Sequence, residues 1–127
     1  MDLNTVITEE GTILSAFHKA CDRHAERTAL IFLGTRFTYS QLGDFVYRFA
    51  ASSTELGIGF NDRVLIYLPN CPQWLIAYLG LQEIGAVPVP VSPIYTPREL
   101  SYLINHSGSE TILCSDTNFG YVKEVFP

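Results

Sequence analysis

The feature that most constrains the fold is an alternation of apolar, strand-like runs with segments of helical periodicity over the second half of the chain. Continuously apolar strands separated by helices pair in parallel, with right-handed crossovers and helices on both faces of the sheet. The pattern therefore predicts an α/β fold in which three strands are parallel neighbours in one sheet. The predicted strands are 63–68, 87–91 and 111–114, and the predicted helices are 72–84, 97–106 and 118–126.

Two capping boxes predict where helices begin. Thr38 is followed three residues later by Gln41, and Thr96 by Glu99 with Pro97 between them. In such a box the threonine hydroxyl accepts from the amide three residues on, while the longer side chain accepts from the threonine amide. We expect helices to start within a residue or two of both threonines, and the first of them to run to about residue 56.

The first third of the chain follows a different pattern. Residues 12–23 have apolar side chains at helical spacing, with Thr12 as the expected N-cap. Residues 29–33 and 36–38 contain strand formers on either side of Gly34 and Thr35, which fit a two-residue hairpin turn with glycine first. The chain is thus predicted to be one piece, with a helix and hairpin over 1–38 and βα units over 39–127.

The composition limits the partners that this chain can have. Hydrophobic residues make up 47% of the 127 residues, which is enough to bury a core and excludes a disordered chain. Eight Lys and Arg against thirteen Asp and Glu give a net charge of −5, so no long-range field attracts phosphate backbones or anionic lipids. Nucleic acid is therefore not an expected partner.

Cysteine usage and the first residues indicate the cytoplasm. Cys21, Cys71 and Cys114 lie far apart, and an odd number of cysteines does not suit a disulfide framework. Residues 1–11 lack the basic start and the apolar run of a signal peptide. We therefore expect a cytoplasmic protein.

One apolar stretch imitates a membrane span. Residues 72–91 are long enough to cross a bilayer, but they contain Glu83, Gly85, Pro88 and Pro90. A helix that stops at the glycine, followed by a buried strand, avoids the strain of carrying a charge and two prolines through a single helix. We therefore predict no transmembrane segment here.

Several motifs imitate functional sites without meeting their requirements. His18, Cys21 and His24 are spaced by three residues, but the two histidines lie about 120° apart around a helix and no fourth ligand is near in sequence. Residues 57–59 and 107–111 resemble phosphate loops, yet both precede a strand instead of opening a helix. We assign no catalytic residue and no metal ligand, and the residues that bind a cofactor stay open.

If this sheet binds a ligand, the residues that follow its strands are the candidate binding residues. Ligands of open parallel sheets bind outside the carboxyl ends of the strands. Asn, Pro, Ser and Thr are also typical of caps and turns, and we favour that structural role for these residues over a ligand site. These residues are Pro69, Asn70, Cys71, Ser92, Pro93, Ile94, Tyr95, Thr96, Ser115, Asp116 and Thr117.

Five short motifs, in order and spacing, resemble the amino-terminal part of the AMP-forming acyl-CoA synthetases, relatives of luciferases and of peptide-synthetase adenylation domains. Each motif is weak alone, but the five in register extend over residues 12–116. They are Thr38-Tyr39-Ser40-Gln41-Leu42, Asp62-Arg63-Val64, Leu68-Pro69-Asn70-Cys71-Pro72, Gly85-Ala86-Val87, and Ser92-Pro93-Ile94-Tyr95-Thr96 with Glu99-Leu100.

The resemblance implies an enzyme that joins a carboxylic acid to CoA through an acyl adenylate, using ATP and magnesium. Peptide-synthetase domains usually have Asp-Pro-x-Tyr-Pro where this chain has residues 92–96, which are closer to the fatty-acyl and aryl CoA ligases. We favour a fatty-acid ligase, and an aryl-CoA ligase or a peptide-synthetase domain stays open as an alternative. The family's phosphate loop, its Thr-Glu segment and its late catalytic lysine do not occur within the 127 residues.

We therefore expect these residues to be the leading segment of the large domain of an adenylate-forming enzyme, inactive alone and without bound ATP, magnesium or CoA. Apolar surface that the rest of such an enzyme would cover could lead to self-association. The alternative is an interaction module, a stand-alone α/β domain that binds a partner without catalysis.

Overall fold

Three parallel strands form the centre of the structure, a computed structural model that describes residues 11–126. Strand β3 (Arg63–Tyr67) lies between β4 (Val87–Pro90) and β5 (Thr111–Cys114). It pairs in parallel with both, which confirms the predicted parallel pairing. A separate antiparallel hairpin consists of β1 and β2. In chain order the elements are α1 (Ile13–Arg23), β1 (Thr28–Phe32), β2 (Thr35–Thr38), α2 (Tyr39–Glu55), β3 (Arg63–Tyr67), α3 (Pro72–Glu83), β4 (Val87–Pro90), α4 (Pro97–Ser107), β5 (Thr111–Cys114), a 3-10 turn (Asp116–Asn118) and α5 (Phe119–Val125).

The core lies on both faces of β3, because successive side chains of a strand point to opposite faces. Val64 and Ile66 pack against α3, with Phe49 of α2 beside them. Leu65 and Tyr67 pack against Leu100 of α4 on the other face. Helices therefore cover both faces of the sheet, which confirms the predicted α/β fold class.

The threonine caps begin their helices where the sequence predicted. Thr38 Oγ1 accepts from the Gln41 amide at 3.1 Å, and the Thr38 amide donates to Gln41 Oε1 at 2.9 Å. Thr96 Oγ1 accepts from the Glu99 amide at 3.4 Å, and the Thr96 amide donates to Glu99 Oε2 at 2.8 Å. Thr12 caps α1 through the Ser15 amide at 3.0 Å. All three helices begin one residue after their cap.

Removal of one cap tests the energetic role of these boxes. Thr96→Ala is expected to lower the free energy of unfolding by about 1 kcal/mol, because the Glu99 amide loses its acceptor. Thr96→Ser is the matched control, since serine keeps the hydroxyl and should leave the unfolding midpoint in urea near that of the parent. Equal losses in both variants would contradict a capping role.

The hairpin turn differs from its prediction by one residue. Phe32 pairs with Thr35, so the loop is Leu33-Gly34, whereas the sequence predicted Gly34-Thr35. Both loop residues have positive φ, 48° at Leu33 and 82° at Gly34, as in a type I′ turn. Glycine therefore takes the second loop position, and Leu33 adopts a left-handed conformation with 90% of its surface exposed. The predicted turn with glycine first would suit the twist of the flanking strands as well, so the strand register, with Phe32 opposite Thr35, decides between the two turns.

The apolar stretch 72–91 divides into α3 and β4, as predicted. Within residues 11–126, no helix is long and apolar enough to cross a membrane. The prediction that no signal peptide occupies the first residues falls on positions 1–10, which lie outside the described residues.

Candidate functional site at the carboxyl edge of the sheet

The strand order marks one edge of the sheet as the place for a ligand. The chain runs from β3 to β4 and then crosses to β5 on the opposite side of β3. Where the direction of such connections reverses, the loops after the two strands diverge and leave a crevice at their carboxyl ends. Tyr67 and Cys114 are register partners at the ends of β3 and β5, so the segments that follow them leave the same edge.

A cavity of about 460 Å³ lies at this edge. Cys71, which follows β3, and Leu113 on β5 contribute to its wall. Phe49 of α2 and two residues of α3, Ile76 and Ala77, complete an apolar lining. The crevice expected from the strand order is therefore present, on the sheet face that α2 and α3 cover.

The residues after β4 serve a turn and a cap. The Tyr95 amide donates to Ser92 O at 3.2 Å, and the Ile94 amide to Ser92 Oγ at 3.4 Å. The Tyr67 hydroxyl donates to Tyr95 O. This segment is thus tied to the central strand, in agreement with the alternative that its residue types suit turns.

The residues after β5 are also used locally. Ser115 Oγ and Thr117 Oγ1 lie 2.7 Å apart, and the Thr117 amide donates to Asp116 Oδ1 at 2.9 Å. Asn118 Nδ2 donates to Pro93 O at 3.4 Å, which links the loops after β4 and β5. These polar groups hold the edge together.

Burial changes the acid–base behaviour of two groups at this edge. Loss of solvent raises the pKa of the Cys114 thiol above its ordinary value, so the reactive thiolate is disfavoured. Cys114 packs against the cluster of Leu65, Tyr67 and Leu100, and it also contributes to the wall of the cavity. Burial, with smaller contributions from Tyr121 and other groups, also raises the pKa of Tyr67. The Cys114 thiol and the Tyr67 phenol are therefore both neutral at ordinary pH, and neither of them is an activated nucleophile.

Tyr67→Phe tests the link between the central strand and the loop after β4. We expect a loss of about 1 kcal/mol in the free energy of unfolding, because Tyr95 O loses its donor.

The parent should also lose stability as pH rises past the ordinary tyrosine pKa of about 10, since the unfolded chain then releases the phenol proton first. Tyr67→Phe should reduce that decline, measured by urea unfolding from pH 8 to 11.

The control for this prediction is Tyr102→Phe, because the Tyr102 side chain is 67% exposed. Its unfolding free energy and its alkaline decline should match those of the parent. An unchanged alkaline decline in Tyr67→Phe would contradict the assignment of that decline to Tyr67.

The sequence profile of the family described as AMP-binding enzyme matches residues 17–125. The chain belongs to this family. The predicted resemblance to the AMP-forming acyl-CoA synthetases is thereby confirmed.

The names of individual relatives of this AMP-binding enzyme chain indicate different activities. Triostin synthetase I of Streptomyces triostinicus is 36% identical over 104 residues, which are 82% of this chain and 20% of that protein. A long-chain-fatty-acid–CoA ligase of Salmonella typhimurium is 33% identical over 114 residues, 89% of this chain and 20% of that protein. This chain thus spans about a fifth of the length of the curated relatives that it matches.

A solved structure gives the same fold for this region of the family. A benzoate CoA ligase from Burkholderia xenovorans LB400 superposes with a TM-score of 0.84 and 25% identity, over 89% of this chain and 23% of that chain. The α/β architecture described above is therefore the architecture of the corresponding part of an adenylate-forming enzyme.

The histidines of this family member do not meet at one site. His18 pairs with Glu83 at the end of α3, while His24 is exposed at the C-cap of α1. Cys21 Sγ donates to Tyr39 O at 3.4 Å. Sequence reasoning missed Glu83 because it lies 65 residues from His18. In the part of the chain that the structure describes, no three His, Cys, Asp or Glu side chains are grouped to hold a metal ion.

Residues 107–111, which resemble a phosphate loop in sequence, have a structural role in this family member. Arg63 Nη1 donates to Ser107 O at 2.8 Å, and the hydroxyls of Ser107 and Ser109 lie 2.8 Å apart. Ser109 is buried. The segment closes α4 and leads into β5, and its two serine side chains bond to each other within the protein.

Proposed function

We propose that this chain is the leading part of an AMP-forming carboxylate–CoA ligase whose substrate is a fatty acid. The observation that carries the proposal is the 33% identity to a long-chain-fatty-acid–CoA ligase over 114 residues. The sequence after β4 supports it, since Ser92 and Thr96 stand where peptide-synthetase domains usually have aspartate and proline.

In the proposed reaction, a carboxylate oxygen of the acid attacks the α-phosphorus of ATP and pyrophosphate leaves. The CoA sulfur then attacks the acyl carbon, AMP leaves, and the thioester forms. Magnesium would stabilise the phosphate charge, as metal ions do in phosphate chemistry generally.

The described residues do not themselves fit magnesium or ATP phosphates. No group of metal ligands occurs among residues 11–126, and the cavity at the carboxyl edge has an apolar wall without a lysine or arginine. We therefore assign no step of the reaction to these residues. Their proposed role is to form the packed sheet and helices on which the rest of the enzyme is built.

The state of the cysteines bears on the compartment of the proposed enzyme. Cys21, Cys71 and Cys114 are all free thiols in the structure. Free thiols are usual in a reducing compartment, which supports the proposal of a cytoplasmic enzyme.

A peptide-synthetase adenylation domain is a second candidate, because triostin synthetase I is 36% identical to this chain. An amino acid or aryl acid would then replace the fatty acid in the first step. The two candidates share the adenylation chemistry and differ in the acid, so one assay separates them.

The test is exchange of labelled pyrophosphate into ATP. Two polypeptides are compared, residues 1–127 alone and the product of the complete reading frame that encodes them, each with hexadecanoate, benzoate or a mixture of amino acids. We expect exchange by the complete product with hexadecanoate, and none by residues 1–127, which carry no phosphate loop and no late lysine.

Three other outcomes would contradict this proposal. Exchange by residues 1–127 alone would mean that the adenylation site lies within them. Preference of the complete product for benzoate or an amino acid would select an aryl ligase or a peptide synthetase. Absence of exchange with every acid would favour the interaction module.

A further inference from the structure

We propose that the ion pair of His18 and Glu83 makes the docking of α1 on α2 and α3 depend on pH, so that α1 detaches more readily as His18 loses its proton. This inference goes beyond the proposed ligase function and does not rest on it. It concerns the first described helix, whose attachment to the rest of the structure differs from that of α2, α3 and α4.

The attachment of α1 is shallow. None of its 11 residues is buried, whereas α2, α3 and α4 each contain at least one buried side chain. Cys21 of α1 lies against α2, where its sulfur would be 3.2 Å from a Cβ atom at Gly43 and donates to Tyr39 O at 3.4 Å. Elements with little buried surface open at a lower free energy than the whole protein unfolds. A single polar contact can therefore shift the docking equilibrium of α1.

The pair of His18 and Glu83 is such a contact. His18 Nε2 contacts Glu83 Oε1, and the two side chains are 51% and 18% exposed. Among residues 11–126 this is the only ion pair between two elements, since the other pair joins Arg48 to Asp44 within α2. Within the same range, no side chain other than His18 bonds to the Glu83 carboxylate. The largely buried carboxylate thus has a partner only while α1 is docked.

The groups that face His18 come from three helices. A groove of about 490 Å³ lies between α1, α2 and the end of α3, and no Lys or Arg is among its described lining residues. Asp22 and Glu83 both help to hold the pKa of the Cys21 thiol above its ordinary value, after the larger effect of burial, so both carboxylates act within this groove. A positive charge on His18 therefore faces two carboxylates and no cation. The titratable lining residues are His18, Cys21, Asp22, Tyr39, Tyr47 and Glu83.

The sign of the pH effect follows from the charges of the pair. A charged imidazole donates from Nε2 and also attracts the ionised carboxylate, whereas a neutral imidazole has lost that attraction. The ionic contribution to docking is therefore present at about pH 5.5 and is lost as the pH rises through the range in which histidines give up their proton. Ion pairs near a surface contribute little, so we expect a change of about two- to fivefold in the docking equilibrium.

Hydrogen exchange of the α1 amides measures the detached state. The 127-residue protein is exchanged at about pH 5.5 and about pH 8, and the rates are expressed as protection factors, which removes the intrinsic pH dependence of exchange. The protection of α1 amides should fall about two- to fivefold between the two conditions. Amides of α2, which contains Leu42, Val46 and Ala50 of the core, serve as the internal reference and should not show this decrease.

Two variants remove the charge from either side of the pair. His18→Gln and Glu83→Gln keep a side chain that can form hydrogen bonds but does not titrate, so the protection of α1 should become equal at the two pH values. His24→Gln is the matched control, because His24 is exposed at the C-cap of the same helix and does not line the groove. This control should retain the decrease seen in the parent.

Equal protection of α1 at both pH values in the parent would overturn the proposal, as would an equal decrease in α2. A decrease that survives in His18→Gln or in Glu83→Gln would also overturn it, because the pair would then not be its source. Loss of the decrease in His24→Gln would assign the effect to the other histidine. None of these outcomes depends on ATP, an acid or pyrophosphate exchange, so this inference and the proposed ligase function can fail separately.

Discussion

Leu100→Ala is expected to lower the free energy of unfolding by about 2–5 kcal/mol. Leu100 is fully buried and lies between α4 and the face of β3 formed by Leu65 and Tyr67. Truncation removes the transfer free energy of three carbon atoms and leaves a void that the rigid sheet cannot close. Because domains are stable by only about 5–15 kcal/mol, this substitution removes a large part of the total.

The measurement is urea unfolding of the 127-residue protein, followed by circular dichroism, with Ile94→Ala as the matched control. Ile94 is 84% exposed, and its truncation should change the unfolding free energy by less than about 0.5 kcal/mol. A loss below about 1 kcal/mol for Leu100→Ala would mean that α4 does not pack on the sheet as described.

Local signals predicted most of the fold because the interactions that they describe are themselves local. The capping box of Thr38 and Gln41 is complete within four residues, so its two hydrogen bonds can be read from the sequence. The apolar run of β3 predicts a buried strand, because a strand covered on both faces buries consecutive side chains. The hairpin was off by one residue, since a single glycine suits either loop position and the strand register decides between them.

The candidate site could be inferred from the sequence only in its general location. Strand order and the rule for parallel sheets indicate the carboxyl edge, but the cavity itself depends on Phe49, Ile76 and Leu113, which come from three separate elements. The bond from the Tyr67 hydroxyl to Tyr95 O joins residues 28 apart, and the His18 pair with Glu83 joins residues 65 apart. No spacing pattern in a single sequence encodes such contacts, because they arise from how helices pack on the sheet.

A close approach of α2 and α3 at Gly80 gives the second large effect. Gly80 lies on the buried face of α3, and a Cβ atom there would lie 3.2 Å from Val46 O and 2.6 Å from Phe49 Cδ1, both on α2. The phenyl ring can turn aside, but the backbone carbonyl cannot move without shifting its helix. Gly80→Ala should therefore lower the free energy of unfolding by about 1–3 kcal/mol, the usual cost of overpacking a well-packed core.

Gly120→Ala is the matched control for this prediction, because Gly120 lies within α5 and a Cβ atom there would meet nothing within 4 Å. Alanine favours the helix over glycine by about 0.5–1 kcal/mol, so this variant should be more stable than the parent. The same chemical change is thus expected to have opposite signs at the two positions, measured as shifts of the urea midpoint. If both variants gained stability, α2 and α3 would have to lie farther apart than the structure has them, because only the contact with α2 distinguishes Gly80 from a glycine in an open helix.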